Sequence, residues 1–189
     1  MDKWKIDKSQ EVLNTPPFNI LEKTYKKPRG LGNMQAYVVD CPDWVNVIGL
    51  TKNNEVLLIK QFRFGTDDIE LEIPGGVVEH GEDPIIAAKR EFEEETGYQS
   101  KQWEKIGTVD ANPAIMNNKC YTFLAKSITP SGEINFDPDE MIEHKLVPLE
   151  NVRELVENGL ITNTFIIAAF HLFALKTNSI LFGLVFSFV

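Results

Sequence analysis

The chain has 189 residues, 43% of them apolar and 25% charged, which is enough for one domain with a sizeable core, or one domain plus an extension. Its formal net charge of -9 argues against partners that demand a basic surface, namely nucleic acid and anionic membranes. A phosphorylated small molecule stays open, because divalent cations can reverse the field at a site.

The N-terminal stretch "MDKWKIDKSQ" is polar and lacks the apolar run of a secretory leader. Residues 18–25, "FNILEKTY", and 34–40, "MQAYVVD", read as strands separated by a turn at Pro28–Gly32. A β-rich extension of about 40 residues is too small to hold a core alone and should pack on something. "DWVNVIGL" and "EVLLIKQF" read as apolar strands around "TKNN", a turn rich in asparagine. "IELEIPGG" is a further strand, ended by Pro74 and a glycine pair. "WEKIGTVD", "CYTFLAK" and "HKLVPL" follow as strand candidates. Asp83 is a natural N-cap, Pro84 suits the first helical position and Gly97 suits C′, which predicts a helix over residues 84–96. Its apolar stripe runs through Ile85, Ala88 and Phe92, with Ile86 nearby. "VRELVEN" and "NTFIIAAFHLFAL" are two more helices, the second largely apolar. Strands and helices without strict alternation point to an α+β sandwich, a mixed sheet between helices.

The C-terminal "ILFGLVFSFV" is too short to span a bilayer and is expected to be a buried end or part of a subunit contact. Cys41 and Cys120 fit a reduced, cytoplasmic protein without a disulfide framework. His80, His144 and His171 are scattered and show no ligand spacing.

The predicted helix carries a cost that asks for an explanation. Glu91 and Glu95 are an i, i+4 pair, and Glu94 is i+3 from Glu91, so three carboxylates share one side. Glu93 is rotated away and should be solvated. Like charges at this spacing repel, and at the C-terminal end of a helix the macrodipole opposes them further. Local helix stability does not account for the cluster. A hard divalent cation does, since Mg²⁺ and Mn²⁺ prefer carboxylate and water oxygens and commonly bridge to phosphates.

The spacing also carries a family resemblance. Gly76, five residues, Glu82, seven residues, and then "REFEEETGY" from Arg90 to Tyr98 resemble the Nudix box G-x5-E-x7-R-E-U-x-E-E-x-G-U at every fixed position, with aromatic Phe92 and Tyr98 at the two bulky U positions. The resemblance implies the Nudix fold, an α/β/α sandwich with a mixed sheet, and metal-dependent hydrolysis of a nucleoside diphosphate linked to another moiety. It implies Mg²⁺, with Mn²⁺ as the alternative, held by Glu91, Glu94 and Glu95 and joined by the carbonyl of Gly75. Glu94 and Glu95 count with the catalytic set. Arg90 would orient these carboxylates, and Glu82, Gly76 and Gly97 would support the loop and helix.

Outside the box, Pro113 lies sixteen residues after Gly97, and "LLIKQFRFG" precedes "LEIPGG". Both features resemble the ADP-ribose and nucleoside diphosphate sugar pyrophosphatase subfamily. That resemblance implies Arg63 as a substrate clamp and Phe18 and Tyr37 as base-stacking aromatics, with Trp44 a weaker candidate. It also implies a homodimer built through an extension of residues 1–42, preceding a hydrolase domain of residues 43–189. A downstream glutamate would activate water. Glu140 and Glu143 compete for that role, and the spacing to "VPL" favours Glu140. The other readings are a nucleoside triphosphate or dinucleoside polyphosphate hydrolase, or a Nudix-like module that senses a nucleotide without hydrolysing it.

Overall fold

The computed structural model describes residues 2–131 and 141–177. Glu140 and the apolar C-terminal stretch lie outside the described residues. The chain divides into two compact units, residues 1–43 with 110–119, and residues 44–109 with 120–189.

The first unit is a three-stranded antiparallel sheet, β1 (Lys5–Thr15), β2 (Phe18–Lys26) and β3 (Asn33–Asp40), with β2 in the middle. β1 is a strand that the polar N-terminus did not announce. It pairs with β2 from Lys5↔Lys26 to Thr15↔Phe18, with two register shifts along the way. Its side chains are almost all exposed, so there is no apolar alternation to betray it. The 110–119 segment joins this unit through a bond from the Val39 N–H to the Ile115 carbonyl (2.7 Å) and one from Asn118 Nδ2 to the Pro42 carbonyl (3.0 Å). No residue of 2–43 is buried.

The second unit contains the core. In chain order it comprises β4 (Trp44–Leu50), β5 (Glu55–Arg63), β6 (Asp68–Glu72), β7 (Gly75–Val77), α1 (Pro84–Thr96), β8 (Tyr98–Gln99), β9 (Gln102–Asp110), β10 (Lys119–Lys126), β11 (Thr129–Pro130), β12 (Glu143–Pro148), α2 (Val152–Glu157) and α3 (Thr164–Thr177). The main sheet runs β12-β5-β4-β10-β9, with β6 paired to β5 and β7 to β4; β8 and β11 pair separately. β10 is parallel to β4, while β5 and β7 are antiparallel to it, so the sheet is mixed. β4 is covered on both faces, which explains why it reads as a nearly continuous apolar run.

The two faces bury two clusters. Val45, Val47 and Leu57 pack against Ala87, Ala88 and Phe92 of α1. Ile48, Val56 and Leu58 pack against Ile166, Phe170 and Phe173 of α3. This is the α/β/α arrangement. The Asp83 side chain accepts the Ile85 N–H at the start of α1, and Gly97 ends it at φ 66°, a left-handed conformation that suits glycine. Ala87 takes the inward place beside Ala88, and Ile86 is left 52% exposed. Among the described residues no helix is long and apolar enough to cross a membrane.

Candidate active site

The strand β7 and the C-terminal half of α1 build one wall of the site. Glu91, Glu94 and Glu95 do share a side of the helix, but their depths differ. Glu95 is buried (3% exposed) and Glu91 and Glu94 are half-buried, while Glu93 faces solvent. The Gly75 N–H donates to Glu95 Oε2 at 2.9 Å, which ties the helix to β7. Glycine is required at both β7 positions by close approach. A Cβ on Gly76 would stand 2.3 Å from Glu91 Cδ, and one on Gly75 would stand 2.2 Å from the Val45 carbonyl oxygen.

Arg90 gathers the loop and the helix. Its Nε and Nη2 donate to the two carboxylate oxygens of Glu82 (3.2 and 3.0 Å), and Nη2 also reaches the Val77 carbonyl (3.1 Å). Nη1 donates to Glu91 (2.8 Å) and Glu94 (3.3 Å). Its pKa rises above the ordinary arginine value, first through the Glu82 hydrogen bonds, against the opposing effect of burial. The same bonds pull the Glu82 carboxyl below the usual carboxylate range. Glu82 therefore pins the loop: one of its oxygens also accepts the Glu79 N–H at 3.1 Å.

Among the described residues, no three acidic, histidine or cysteine side chains are grouped as they stand so as to hold a metal ion in common. Arg90 occupies faces of Glu91 and Glu94, and Gly75 occupies one of Glu95. The donor set is nonetheless all oxygen, anionic and gathered on one helix side next to β7. That chemistry fits a hard divalent cation.

A cleft of about 350 Å³ opens beside this wall, and Gly75 and Gly76 line it. Trp44 and Phe165 meet edge to face in it, with ring centroids 5.4 Å apart. Arg63, half-buried, closes another side. Its Nε donates to both oxygens of Glu72 (3.2 Å each), and its Nη2 donates to Oε2 (2.5 Å). Burial works against the Arg63 charge, but the hydrogen bonds and charge of Glu72 more than offset it and raise the pKa, with a further contribution from Glu95. Asn163 Nδ2 donates to Glu72 Oε1 at 2.7 Å. Asn46, also in the lining, is 4% exposed and donates to the Phe165 carbonyl at 3.4 Å.

Glu72, Asn163 and Asn46 were not among the residues anticipated from the sequence. A signal for Glu72 was present: a carboxylate between apolar Leu71 and Ile73 must be paired if its neighbours carry it into the core. Of the anticipated aromatics, Trp44, the weaker candidate, lines the cleft, whereas Phe18 and Tyr37 belong to the other unit. Phe18 is 37% exposed, and Tyr37 is 58% exposed with its Oη donating to Glu22 at 3.0 Å, which raises the phenol pKa. Pro113 is exposed on the 110–119 segment. Glu143 starts β12 with 83% of its side chain exposed, 3.9 Å from Lys60 Nζ.

The NUDIX domain family matches residues 42–164. The ADP-ribose pyrophosphatase of Bacillus subtilis (strain 168) is 34% identical over 150 residues, which cover 79% of this chain and 80% of that protein. The ADP-sugar pyrophosphatase of Mus musculus is 33% identical over 136 residues, covering 66% of this chain and 61% of that one. A crystal structure of an ADP compounds hydrolase shares the fold with a TM-score of 0.82 over 95% of this chain and 98% of its own, at 18% identity. This chain belongs to the Nudix family of hydrolases.

Proposed function

We propose that this enzyme hydrolyses the diphosphate linkage of ADP-ribose or another nucleoside diphosphate sugar, giving a nucleoside monophosphate and a sugar phosphate. The carrying observation is the carboxylate wall of Glu91, Glu94 and Glu95, with Gly75 beside it, bordering a cleft that also presents Arg63. The name of the Bacillus subtilis relative supports ADP-ribose, and that of the mouse relative supports a wider set of sugars.

Glu91, Glu94, Glu95 and the Gly75 carbonyl would hold Mg²⁺ or Mn²⁺. A divalent cation bound there neutralises the diphosphate and stabilises charge developing on the leaving phosphate. Arg90 keeps two of the carboxylates oriented and Glu82 keeps the loop beneath them in place. Arg63 binds the diphosphate from the cleft side through charge-assisted hydrogen bonds. A carboxylate engaged by a cation has reduced basicity, so the water loses its proton to a glutamate outside the box. Glu140 is our assignment and Glu143 the competitor; the solvent-facing pair of Glu143 with Lys60 favours Glu140. Glu140→Gln is expected to lower kcat by about 10²- to 10⁴-fold with little change in KM. A normal kcat in that variant together with a dead Glu143→Gln moves the role to Glu143.

The homodimer is part of this proposal. The sheet of residues 2–43 has no buried side chain, and it exposes Ile6, Leu13, Leu31 and Met34. Phe18 and Tyr37 would then stack a base in the partner's site, and Pro113 would border the sugar. A monomer mass by light scattering across the working concentration range removes that arrangement. Cys41 and Cys120 are not joined in a disulfide, which fits a cytoplasmic setting, and the net charge of -9 supports a small-molecule substrate over nucleic acid.

The function is tested by incubating the protein with Mg²⁺ and a panel of ADP-ribose, UDP- and GDP-sugars, nucleoside triphosphates and dinucleoside polyphosphates. Monophosphate release ranked highest for ADP-ribose or another nucleotide sugar is expected. Preference for triphosphates shifts the substrate class, and binding without release makes the protein a sensor.

A further inference from the structure

Glu72 is a buried charge to which the reaction just described gives no part. It is 2% exposed, flanked by Leu71 and Ile73, and a carboxylate so far from water must be paired and hydrogen-bonded. Both of its oxygens are engaged, by Arg63 on one side and Asn163 on the other. Asn163 is itself held from behind. Its Oδ1 accepts the Phe165 N–H (2.9 Å), and its carbonyl accepts the N–H groups of Ile166 and Ile167 (3.1 Å each) at the start of α3. A continuous chain of contacts thus runs from the first turn of α3 through Asn163 and Glu72 to the guanidinium at the cleft.

The electrostatics identify what this chain is for. If the cleft needed only positive charge, an unpaired arginine would attract an anion better than one neutralised by a carboxylate. Pairing is useful when direction matters more than charge. The planar fork of arginine is fixed by its bonds through Nε and Nη2, and among the described residues Nη1 has no partner. A donor edge held in one orientation loses less freedom when it binds an anion than a mobile side chain does.

We propose that Glu72, braced by Asn163, is a positioning residue that holds Arg63 at the cleft wall so that its Nη1 edge meets the diphosphate of the substrate. This rests on the reading of Arg63 as a substrate contact. Three single variants and one double variant test it, with kcat, KM for ADP-ribose at saturating Mg²⁺ and thermal midpoint measured for each. Arg63→Ala is expected to raise KM by about tenfold or more with kcat within about threefold. Glu72→Gln should raise KM in the same sense. Added to Arg63→Ala, it should change KM by less than about twofold, because the group it positions is gone. Asn163→Ser keeps a helix cap and loses the donor to Glu72, so it should raise KM by a smaller factor; it carries the test if Glu72→Gln does not fold.

If Arg63→Ala raises KM but Glu72→Gln and Asn163→Ser do not, the arginine binds substrate without help and the positioning role is wrong. The same conclusion follows if Glu72→Gln lowers kcat and the thermal midpoint equally with and without Arg63, since Glu72 then only holds β6. An unchanged KM in Arg63→Ala overturns the reading of Arg63 and the positioning role together.

Discussion

Two arginines each hold carboxylates at this site, and they do it in opposite ways. Arg90 spreads its fork over Glu82, Glu91, Glu94 and the Val77 carbonyl, on a partly wet edge of α1. Arg63 commits its fork to one carboxylate, Glu72, which is almost wholly withdrawn from water. At the first centre acids outnumber the base, and the residual negative charge suits a divalent cation. At the second, charge is balanced one to one, and the remaining product is a fixed direction for the guanidinium. An excess of carboxylate makes a cation site; an exact balance makes a positioned donor.

That contrast can be broken most severely at the glutamate wall. Glu95→Gln keeps shape and still offers an oxygen to the Gly75 N–H, but it removes a charge from the wall. The barrier should rise by several kcal/mol, roughly a 10³-fold or larger loss of kcat, with the thermal midpoint nearly unchanged. Wild-type kcat at saturating Mg²⁺ would remove Glu95 from the cation site.

Arg90→Lys sharpens the comparison, because an ammonium cannot reach five oxygens as a planar fork does. A loss of about 10- to 100-fold in activity or in Mg²⁺ affinity is expected, the usual scale for partners that orient metal ligands. An unchanged Mg²⁺ titration would reduce Arg90 to a loop tie.

The neighbouring glycines should separate site from scaffold. In Gly76→Ala the new methyl must displace the Glu91 carboxylate, so activity and metal affinity should fall while the midpoint moves little. In Gly75→Ala the methyl meets the Val45 backbone, which cannot swing aside, and the β7–β4 pairing should weaken by about 1–3 kcal/mol. Calorimetry and kinetics on both variants check the split; equal midpoint losses would contradict it.

The smallest effect expected is on acid stability. The folded-state pKa of Glu82 is depressed by Arg90, so its contribution is present above the ordinary glutamate value of about 4.3 and is lost as pH falls through the lowered folded value. The midpoint of Glu82→Gln should lie below wild type near neutrality, and the two should converge in acid. Parallel curves would show that Arg90 stabilises nothing through Glu82.

How far each centre could be read in advance follows from the separation of its parts. Glu91 and Glu94 lie one and four positions from Arg90, and Glu82 is eight from Arg90 across a short loop. Helical periodicity, an aspartate cap and a C′ glycine place the glutamates without reference to the rest of the chain, the resemblance of the box adds Arg90 and Glu82, and α1 runs from Pro84 to Thr96 as its caps dictate. The mixed sheet between helices was legible for a similar reason, since apolar strands alternate with turn residues. β1 was not, because a solvated strand carries no hydrophobic period.

The second centre was open only to the tertiary structure. Asn163 and Glu72 are 91 residues apart, and they meet because α3 packs on the sheet face that Ile48, Val56 and Leu58 present. No local rule connects an asparagine before a helix to a glutamate in a strand. By itself the sequence determined the helix, its box of carboxylates and the kind of ion they suit, since those depend on periodicity and charge. Which buried acid holds Arg63, and in what direction, depended on packing between distant segments, because a charge taken out of water must find its partner wherever the fold brings one.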